Sequence, residues 1–494
     1  MSDVFNIDEI TIVEIHQAMR DGRLTCRKLA ETYCDRILAY DQQGPALNAV
    51  IMINPHWCEE ADALDAALKH SGPVGPLHGI PVLVKDNIDT DFMPTTAGSA
   101  SLAGFTPQRN AAVIQRLLAA GALILAKVNL HEFAIWGETI SSVLGQTLNP
   151  YDLTRTPGGS SGGTGAAIAA NYGVIGLGTD TVNSVRSPAS ACALTAIRPT
   201  VGLVSRAGVV PYSMTQDTAG PLTRCLTDAA KTLSVLAGYD PEDPETSWCV
   251  GKIPERYADH LQLDGLKGKR IGILRCFFCL QEHAPVNLVM ESALAVFRRQ
   301  GAQLVEVTEK FQADDLIKRV SVHLYDLHDH LNEYLGKLGA DAPVHSLEDI
   351  LNSGKYHPGI EADLRQALLL STDSEEYRYR LLERRKLRTA VMKLMADYKI
   401  DALLFPHQKC LVVEVGQGQA DRNGVLGAVT GFPSVIVPAG FSAPTATAPL
   451  GVPVGLELLG RPWSEPLLIE MGYGFEQATK WRQPPRSTPP LPVT

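Results

Sequence analysis

The chain has 494 residues, a formal net charge of −10 at pH 7 and a sequence pI near 5.7. Its 45% hydrophobic and 20% charged residues are typical of a globular protein. The acidic balance argues against nonspecific binding to nucleic acid, and the length allows several domains or one large α/β unit with an inserted or appended subdomain.

The chain start and its apolar stretches predict neither secretion nor membrane insertion. Residues 1–6 lack the basic and apolar regions of a signal peptide. The apolar stretch at 111–130 contains Gln115, Arg116 and Lys127, so we expect no membrane-spanning helix. Nine cysteines, an odd number without framework spacing, fit reduced thiols. We therefore expect a cytoplasmic protein.

Two helices are predicted near the start of the chain. Thr11 and Glu14 form a capping box ahead of a helix that should end near Gly22. A second helix should begin at Thr25. Its predicted apolar face consists of Leu29, Tyr33 and Ile37.

Lys85 follows an apolar, β-branched run at residues 80–84 that predicts a buried strand. Burial disfavours the charged form of a lysine, and a neutral amine can accept a proton. A serine hydroxyl is a poor nucleophile at neutral pH and needs such a base. Lys85 is therefore the candidate base for a serine in this chain.

The glycine-rich run at 156–163 and the run at 178–188 carry two candidate serines, Ser160 and Ser184. No histidine lies between them, and neither serine sits in a G-x-S-x-G elbow. A nucleotide site is the competing interpretation. It is disfavoured because no Lys-Ser/Thr pair follows the glycines and the dinucleotide-type spacings lack their third glycine.

Taken together, these three segments resemble the amidase signature family, whose members cleave amide bonds. The resemblance implies that Lys85 is the base, Ser160 passes the proton, and Ser184 is the nucleophile. It also implies a cis peptide bond at Gly159-Ser160. No metal and no organic cofactor are implied.

The backbone N–H groups of the turn before the nucleophile should form the oxyanion hole. These groups belong to Thr181, Val182, Asn183 and Ser184. The family usually has glycines at the positions of Val182 and Asn183. Valine disfavours positive φ, so residue 182 should adopt negative φ or be strained, whereas asparagine tolerates positive φ better. We interpret the change as an altered pocket wall.

Three further residues should support the site by the same resemblance. These are Ser161, Asp180 and Arg186. Asp180 and Arg186 are expected to be buried partners, because an unpaired charge so close to the site would be costly.

The second half of the chain predicts more strands and a helical segment. A strand at 270–274, a helix at 286–299 and a strand at 304–307 predict a β-α-β unit with a parallel pair, and residues 311–398 should be helical. Strand character returns at 402–405, 434–437 and 454–459. Cys276-x-x-Cys279 is interpreted as a buried strand end. The histidines His323, His328 and His330 are interpreted as part of a polar helix face.

The resemblance is strong over residues 75–238 and returns over 401–478. It implies an α/β fold of the amidase signature type, a large mixed twisted β-sheet flanked by α-helices (α/β/α). We expect one domain over 1–494. Its parts would be an N-terminal helical region (7–70), a catalytic core (75–245), a variable pocket region (250–400) and a return to the core sheet (401–480).

The leading functional hypothesis is a hydrolase of amide, urea or carbamate bonds that works through an acyl-enzyme. The alternatives are the glutaminase A-type subunit of a tRNA-dependent amidotransferase, or a catalytically impaired binding protein on the same fold. The charged stretch at 381–386 and the pair Val182-Asn183 do not resemble the glutaminase subgroup. The expected partner is a small-molecule amide substrate, with no nucleic acid and no membrane. A homodimer is left open.

Overall fold

The computed structural model describes residues 6–420 and 422–491. Residues 1–5, which carry most of the prediction about a signal peptide, lie outside the described residues. The strands of the described part are β1 (Val50–Ile53), β2 (Pro81–Lys85), β3 (Leu123–Val128), β4 (Ile140–Ser141), β5 (Gly145–Gln146), β6 (Ile175–Asp180), β7 (Thr195–Arg198), β8 (Thr218–Thr223), β9 (Arg270–Ile273), β10 (Gln303–Glu306), β11 (Ala402–Pro406), β12 (Ser434–Phe441) and β13 (Pro453–Leu459).

Helices cover much of the rest of the described chain. The α-helices are α1 (Ile12–Arg20), α2 (Cys26–Tyr40), α3 (Trp57–Ser71), α4 (Ala112–Ala119), α5 (Gly162–Ala169), α6 (Arg186–Ala191), α7 (Leu226–Leu236), α8 (Ala284–Arg299), α9 (Ala313–Arg319), α10 (His323–Leu335), α11 (Leu347–Ser353), α12 (Glu361–Ala367), α13 (Glu375–Asp397), α14 (Val425–Thr430) and α15 (Glu465–Thr479). Short 3₁₀ helices lie at Ala100–Leu102, Glu132–Ala134, Pro244–Cys249, Tyr257–His260, Arg275–Phe277, Gln281–His283 and Pro358–Ile360.

One mixed sheet of 11 strands organises the fold, in the order β1-β3-β2-β6-β8-β7-β12-β13-β11-β9-β10. Strand β2 lies between β3 and β6 and is parallel to both, whereas β8, β7 and β12 pair antiparallel with their neighbours. Strands β4 and β5 form a separate hairpin. The predicted fold class, a large mixed sheet flanked by helices, is confirmed.

The N-terminal helices follow the predicted signals. Thr11 caps α1 and forms the capping box with Glu14, and α1 ends two residues before Gly22, whose φ is 67°. Thr25 caps α2 through its side chain. The predicted apolar face of α2 is buried in the main hydrophobic core.

The predicted β-α-β unit is also confirmed, because β9 and β10 pair in parallel and α8 lies between them in the chain. Both strands extend the main sheet at its edge beyond β11. The helical segment α9–α13 follows. Part of it forms a second apolar cluster with the loops that surround the end of β2, in which Leu327, Leu331 and Ile360 pack with Phe133 and Tyr212.

The prediction for Cys276 and Cys279 is wrong in part. The strand ends at Ile273, and the chain then turns in a 3₁₀ helix at Arg275–Phe277. Cys276 is half-buried and Cys279 is exposed, while Phe277 and Phe278 between them are buried. The two phenylalanines bury more apolar surface than the thiols would, so they take the inward positions.

Within residues 6–420 and 422–491, no helix combines the length and the apolar character needed to cross a bilayer. The main sheet draws strands from all four predicted parts of the chain: β1, β2, β9 and β11 come from successive parts. We propose on this basis that the described chain is one structural unit.

Candidate active site

The side chain of Lys85 ends the fully buried strand β2 and is itself 0% exposed. Its Nζ lies 2.7 Å from Ser160 Oγ and 2.7 Å from Thr179 Oγ1. Thr179 belongs to the neighbouring strand β6, and its hydroxyl also accepts a hydrogen bond from Asn87 Nδ2 at 3.1 Å. The amine is therefore surrounded by neutral hydroxyl groups at hydrogen-bond distance.

Burial lowers the pKa of Lys85 from its ordinary value of 10.5 to about 7. Removal from water disfavours the charged ammonium, whereas the negative charges of Asp180 and Asp217 act in the opposite direction. Desolvation is the larger effect. Lys85 is thus a neutral amine, able to accept a proton, at pH values above about 7.

The glycine-rich loop brings Ser160 to Lys85. The peptide bond between Gly159 and Ser160 is cis, at the position expected from the sequence, and Gly158 has a φ of 72°, which glycine adopts without strain. The loop leads directly into α5. A side chain at Gly163 would place its Cβ 2.2 Å from the carbonyl oxygen of Asn129, so only glycine allows this approach.

Ser184 lies on the adjacent segment, two residues before α6. Its carbonyl accepts a hydrogen bond from the N–H of Ser161 at 3.2 Å, which ties the two serine-bearing segments together. The residue is 4% exposed, and its hydroxyl makes no hydrogen bond to any residue that the structure describes. The structure thus joins Lys85 to Ser160, while the proton path from Ser184 to Ser160 stays a prediction.

The turn before Ser184 has unused backbone donors. Within the described chain, the N–H groups of Thr181, Val182, Asn183 and Ser184 have no hydrogen-bond acceptor. Neither Val182 nor Asn183 is among the described residues with positive φ. The turn therefore adopts negative φ at 182, the unstrained one of the two predicted conformations, and the use of its backbone donors as an oxyanion hole stays a prediction.

Two side-chain contacts hold this turn. Arg186 Nη2 donates to the carbonyl of Val182 at 2.7 Å. On the other side, the Thr181 hydroxyl donates to Asp217 Oδ1 at 2.5 Å, and Asp217 Oδ2 accepts the backbone N–H groups of Tyr212 and Ser213. The turn is fixed from both directions before any substrate binds.

A buried charge cluster lies beneath the turn. Arg186 donates to both carboxylate oxygens of Asp180 at 3.0 Å and to Glu457 Oε1 at 2.7 Å, and all three side chains are 0% exposed. Arg198 adds a second contact to Asp180 at 3.1 Å. These arginines hold the pKa of the Asp180 carboxyl far below its usual range, against the effect of burial. Asp180 therefore stays ionised and paired.

Ser161 connects the loop to β6. Its hydroxyl donates to the carbonyl of Thr179 at 3.2 Å and accepts from the N–H of the same residue at 3.3 Å. Gly178 permits this contact, because a Cβ there would lie 2.8 Å from Ser161 Oγ. Ser161 thereby fixes the position of the threonine that contacts Lys85.

Sequence reasoning missed Thr179, Asn87 and Asp217. Asn87 follows the candidate base by two positions, but it lies in the turn after β2, so the alternation of side chains along a strand does not predict its contact with Thr179. Thr179 stands directly before Asp180, where no local pattern distinguishes it. Asp217 stands directly before β8 and opposite Thr181 in the antiparallel register of β6 and β8, a pairing of distant segments that no local pattern predicts.

A model of the family described as Amidase matches residues 28–469. The chain belongs to this family. It is an amidase-family hydrolase of carbon–nitrogen amide bonds, and the resemblance noted from its motifs is confirmed.

Relatives and solved structures agree with this family assignment. A protein named as a probable amidase from Arabidopsis thaliana is 35% identical over 98% of this chain and 93% of its own length. A glutamyl-tRNA(Gln) amidotransferase subunit of the A type, from Chloroflexus aggregans, is 32% identical over 96% of this chain and 97% of its own length. The native peptide amidase from Stenotrophomonas maltophilia matches the fold with a TM-score of 0.88 at 35% identity, over 97% of this chain and 98% of that chain.

Thr179→Val tests the contact between Thr179 and Lys85. The variant removes a hydrogen-bond acceptor of the Lys85 amine, which disfavours the charged form of that amine and lowers its pKa. The acid limb of the pH–rate profile should therefore move to lower pH by roughly one unit. The plateau rate should also fall, because the amine loses a contact that orients it. The measurement is kcat/KM for a simple amide from pH 5 to 10. Thr164→Val is the matched control, since the buried Thr164 hydroxyl has no hydrogen-bond partner in the described chain. An unshifted limb, or equal shifts in both variants, would contradict this role of Thr179.

Proposed function

We propose that this amidase-family enzyme hydrolyses a small carboxamide through an acyl-enzyme formed on Ser184. Lys85 is the base, Ser160 carries the proton, and the backbone N–H groups of the 181–184 turn stabilise the oxyanion. The observation that carries this proposal is the buried contact between Lys85 Nζ and Ser160 Oγ at 2.7 Å. A desolvated amine bonded to a serine hydroxyl can take up a proton near neutral pH.

In the acylation step, Ser184 attacks the substrate carbonyl carbon and releases its hydroxyl proton to Ser160, whose own proton moves to Lys85. The negative charge that develops on the carbonyl oxygen is stabilised by the N–H groups of the turn. When the C–N bond breaks, the proton returns through Ser160 to the leaving nitrogen. Water then attacks the ester, with Lys85 again as the base, and releases the acid.

We propose that the bond cleaved is an amide other than the peptide bond, with urea and carbamate bonds as the related chemistries. A small-molecule substrate fits a nucleophile that is 4% exposed, because a folded polypeptide chain cannot easily reach such a group. The acidic charge and the odd number of cysteines support a cytoplasmic location.

The second candidate function is the glutaminase subunit of a tRNA-dependent amidotransferase. It is favoured by the relative of that name from Chloroflexus aggregans, which the chain matches over 97% of its length. Two assays of the purified single chain separate these functions, one of the hydrolysis of simple amides and one of the hydrolysis of glutamine with the partner subunit added. An amidase should hydrolyse simple amides as an isolated chain, whereas a glutaminase subunit should need its partner subunit. A binding protein without turnover, the third hypothesis, should fail both assays.

Ser184→Ala should abolish turnover, by at least about 10⁴-fold, because it removes the nucleophile. The fold should be unchanged, since the hydroxyl makes no bond within the described chain. The readouts are amide hydrolysis, labelling by a serine-directed phosphonate with peptide mapping, and thermal unfolding. Ser292→Ala in the exposed face of α8 is the control. Activity above a trace in Ser184→Ala, or a label on another serine, would remove Ser184 from the role.

The rate should rise with pH through about 7, the pKa of Lys85. A lysine whose pKa is depressed by burial is charged below that value and neutral above it, and only the neutral form can act as a base. The measurement is single-turnover acylation from pH 5 to 9, so that chemistry is rate-limiting. Lys85→Ala should cripple acylation at every pH in this range. A flat wild-type profile would count against Lys85 as the base.

Val182→Gly should change which amides are cleaved more than it changes the chemistry. Both residues supply a backbone N–H, and the Arg186 contact to the carbonyl of residue 182 is retained. A lost oxyanion donor lowers the rate by about 10²- to 10³-fold, whereas a reshaped apolar wall alters selectivity by roughly 10- to 200-fold. The test compares kcat/KM for a small amide, a bulky aryl amide and a carbamate. A uniform change across all three would show that Val182 acts through turn geometry.

A further inference from the structure

A cleft of about 840 Å³ is lined by none of the proposed catalytic residues. Its walls are the 3₁₀ helix Pro244–Cys249, one face of α13 and the loops at 200–201, 214–215 and 462–463. The volume lies within the range of roughly 300 to 1,000 Å³ that small-molecule sites occupy. We call this feature the basic cleft because of its charge.

Five cationic side chains and two carboxylates line the basic cleft. The cations are Arg206, Lys252, Arg384, Arg385 and Arg388, and the carboxylates are Asp243 and Glu245. This excess of positive charge occurs in a chain whose formal net charge is −10. A concave surface with one sign of charge concentrates its potential and attracts ligands of the opposite sign.

The pairing within the cleft leaves most of its positive charge available. Arg206 contacts Asp243 with both arms of its guanidinium, at 2.8 and 2.6 Å. For the other four cations, no carboxylate of the described chain lies within 4.0 Å. The two carboxylates therefore do not neutralise the cluster.

Arg384 is 7% exposed, and its described hydrogen bonds go only to carbonyl oxygens: Nε to Val429 at 3.0 Å and Nη2 to Thr215 at 3.1 Å. Burial lowers its pKa to about 10, with the more distant Asp326 acting in the opposite direction. A buried cation without a directly bonded carboxylate is costly, and a bound anion would offset that cost.

Aromatic rings hold two of the other cations in place. Lys252 Nζ lies 4.4 Å from the ring centroid of Trp463 and 5.9 Å from that of Trp248, and the Arg388 guanidinium lies 5.8 Å from the centroid of Phe432. A cation over an aromatic face is attracted by the ring yet keeps its N–H donors. Guanidinium groups match the oxygens of phosphate and carboxylate groups particularly well.

We propose that the basic cleft binds a small organic polyanion through its phosphate or carboxylate groups. The concave shape and the buried Arg384 favour a small molecule over nucleic acid, which would meet cations on an open surface. Such a ligand also gives a role to Arg384 and Arg385 of the charged 381–386 stretch of α13. The proposal does not depend on the proposed catalytic mechanism.

The test is isothermal titration of the purified full-length chain with pyrophosphate and with citrate, against acetate at matched ionic strength. At least one of the two polyanions should bind saturably, and acetate should not. If pyrophosphate binds more tightly than citrate, the ligand group is phosphate; if citrate binds more tightly, it is carboxylate. Lys252→Gln and Arg388→Gln should each weaken binding by about tenfold or more, because each removes a charge-assisted contact. Both side chains are exposed, so the variants should fold, which circular dichroism checks.

Lys386→Gln is the matched control. Lys386 lies on the same helix, is paired with Glu383 at 2.6 Å and does not line the basic cleft, so its loss should leave the affinity within about twofold. Two results would overturn the proposal: neither polyanion binds, whether or not a single-stranded oligonucleotide binds through these cations, or Lys386→Gln weakens binding as much as Arg388→Gln.

Discussion

The site depends on one constraint, which is that the amine of Lys85 is buried among neutral hydroxyl groups. An ammonium so placed has lost its water and gained only the oxygens of Ser160 and Thr179, so the neutral amine is favoured. The sheet creates this situation. Strand β2 is covered on both sides by β3 and β6, and β6 carries Thr179 to the end of β2, where the lysine emerges.

The second requirement is that nearby carboxylates do not restore the charge on Lys85. Asp180 is bonded to Arg186 and Arg198, and Asp217 accepts hydrogen bonds from the Thr181 hydroxyl and two backbone N–H groups. Each acid thus has its own donors and exerts a smaller effect on the lysine than desolvation does. Arg186 and Asp217 also hold the proposed oxyanion turn, so one set of interactions affects both the pKa of Lys85 and the geometry of the backbone donors.

The parts of this arrangement that are local in sequence could be predicted from sequence. The capping box, the β-α-β unit and the apolar run before Lys85 are short patterns with direct physical meaning, and the cis bond followed from the resemblance of the glycine-rich loop. Contacts between distant segments could not be predicted. Glu457 reaches Arg186 across 271 positions, and Asp217 meets Thr181 because the antiparallel register of β6 and β8 places the two residues opposite each other, next to the pair Asp180 and Thr218. At Val182, residue preference left two backbone conformations, and the surrounding contacts select one.

The most direct test is the pKa of Lys85 itself, measured in the wild-type enzyme without substrate. Lysine labelled with ¹³C at Cε gives one NMR signal per side chain, and the Lys85 signal is the one absent from Lys85→Met. We predict that this signal titrates at about 7, far below the ordinary lysine value of 10.5. Titration near the ordinary value would mean that the amine is charged at neutral pH, and Lys85 could not then be the base.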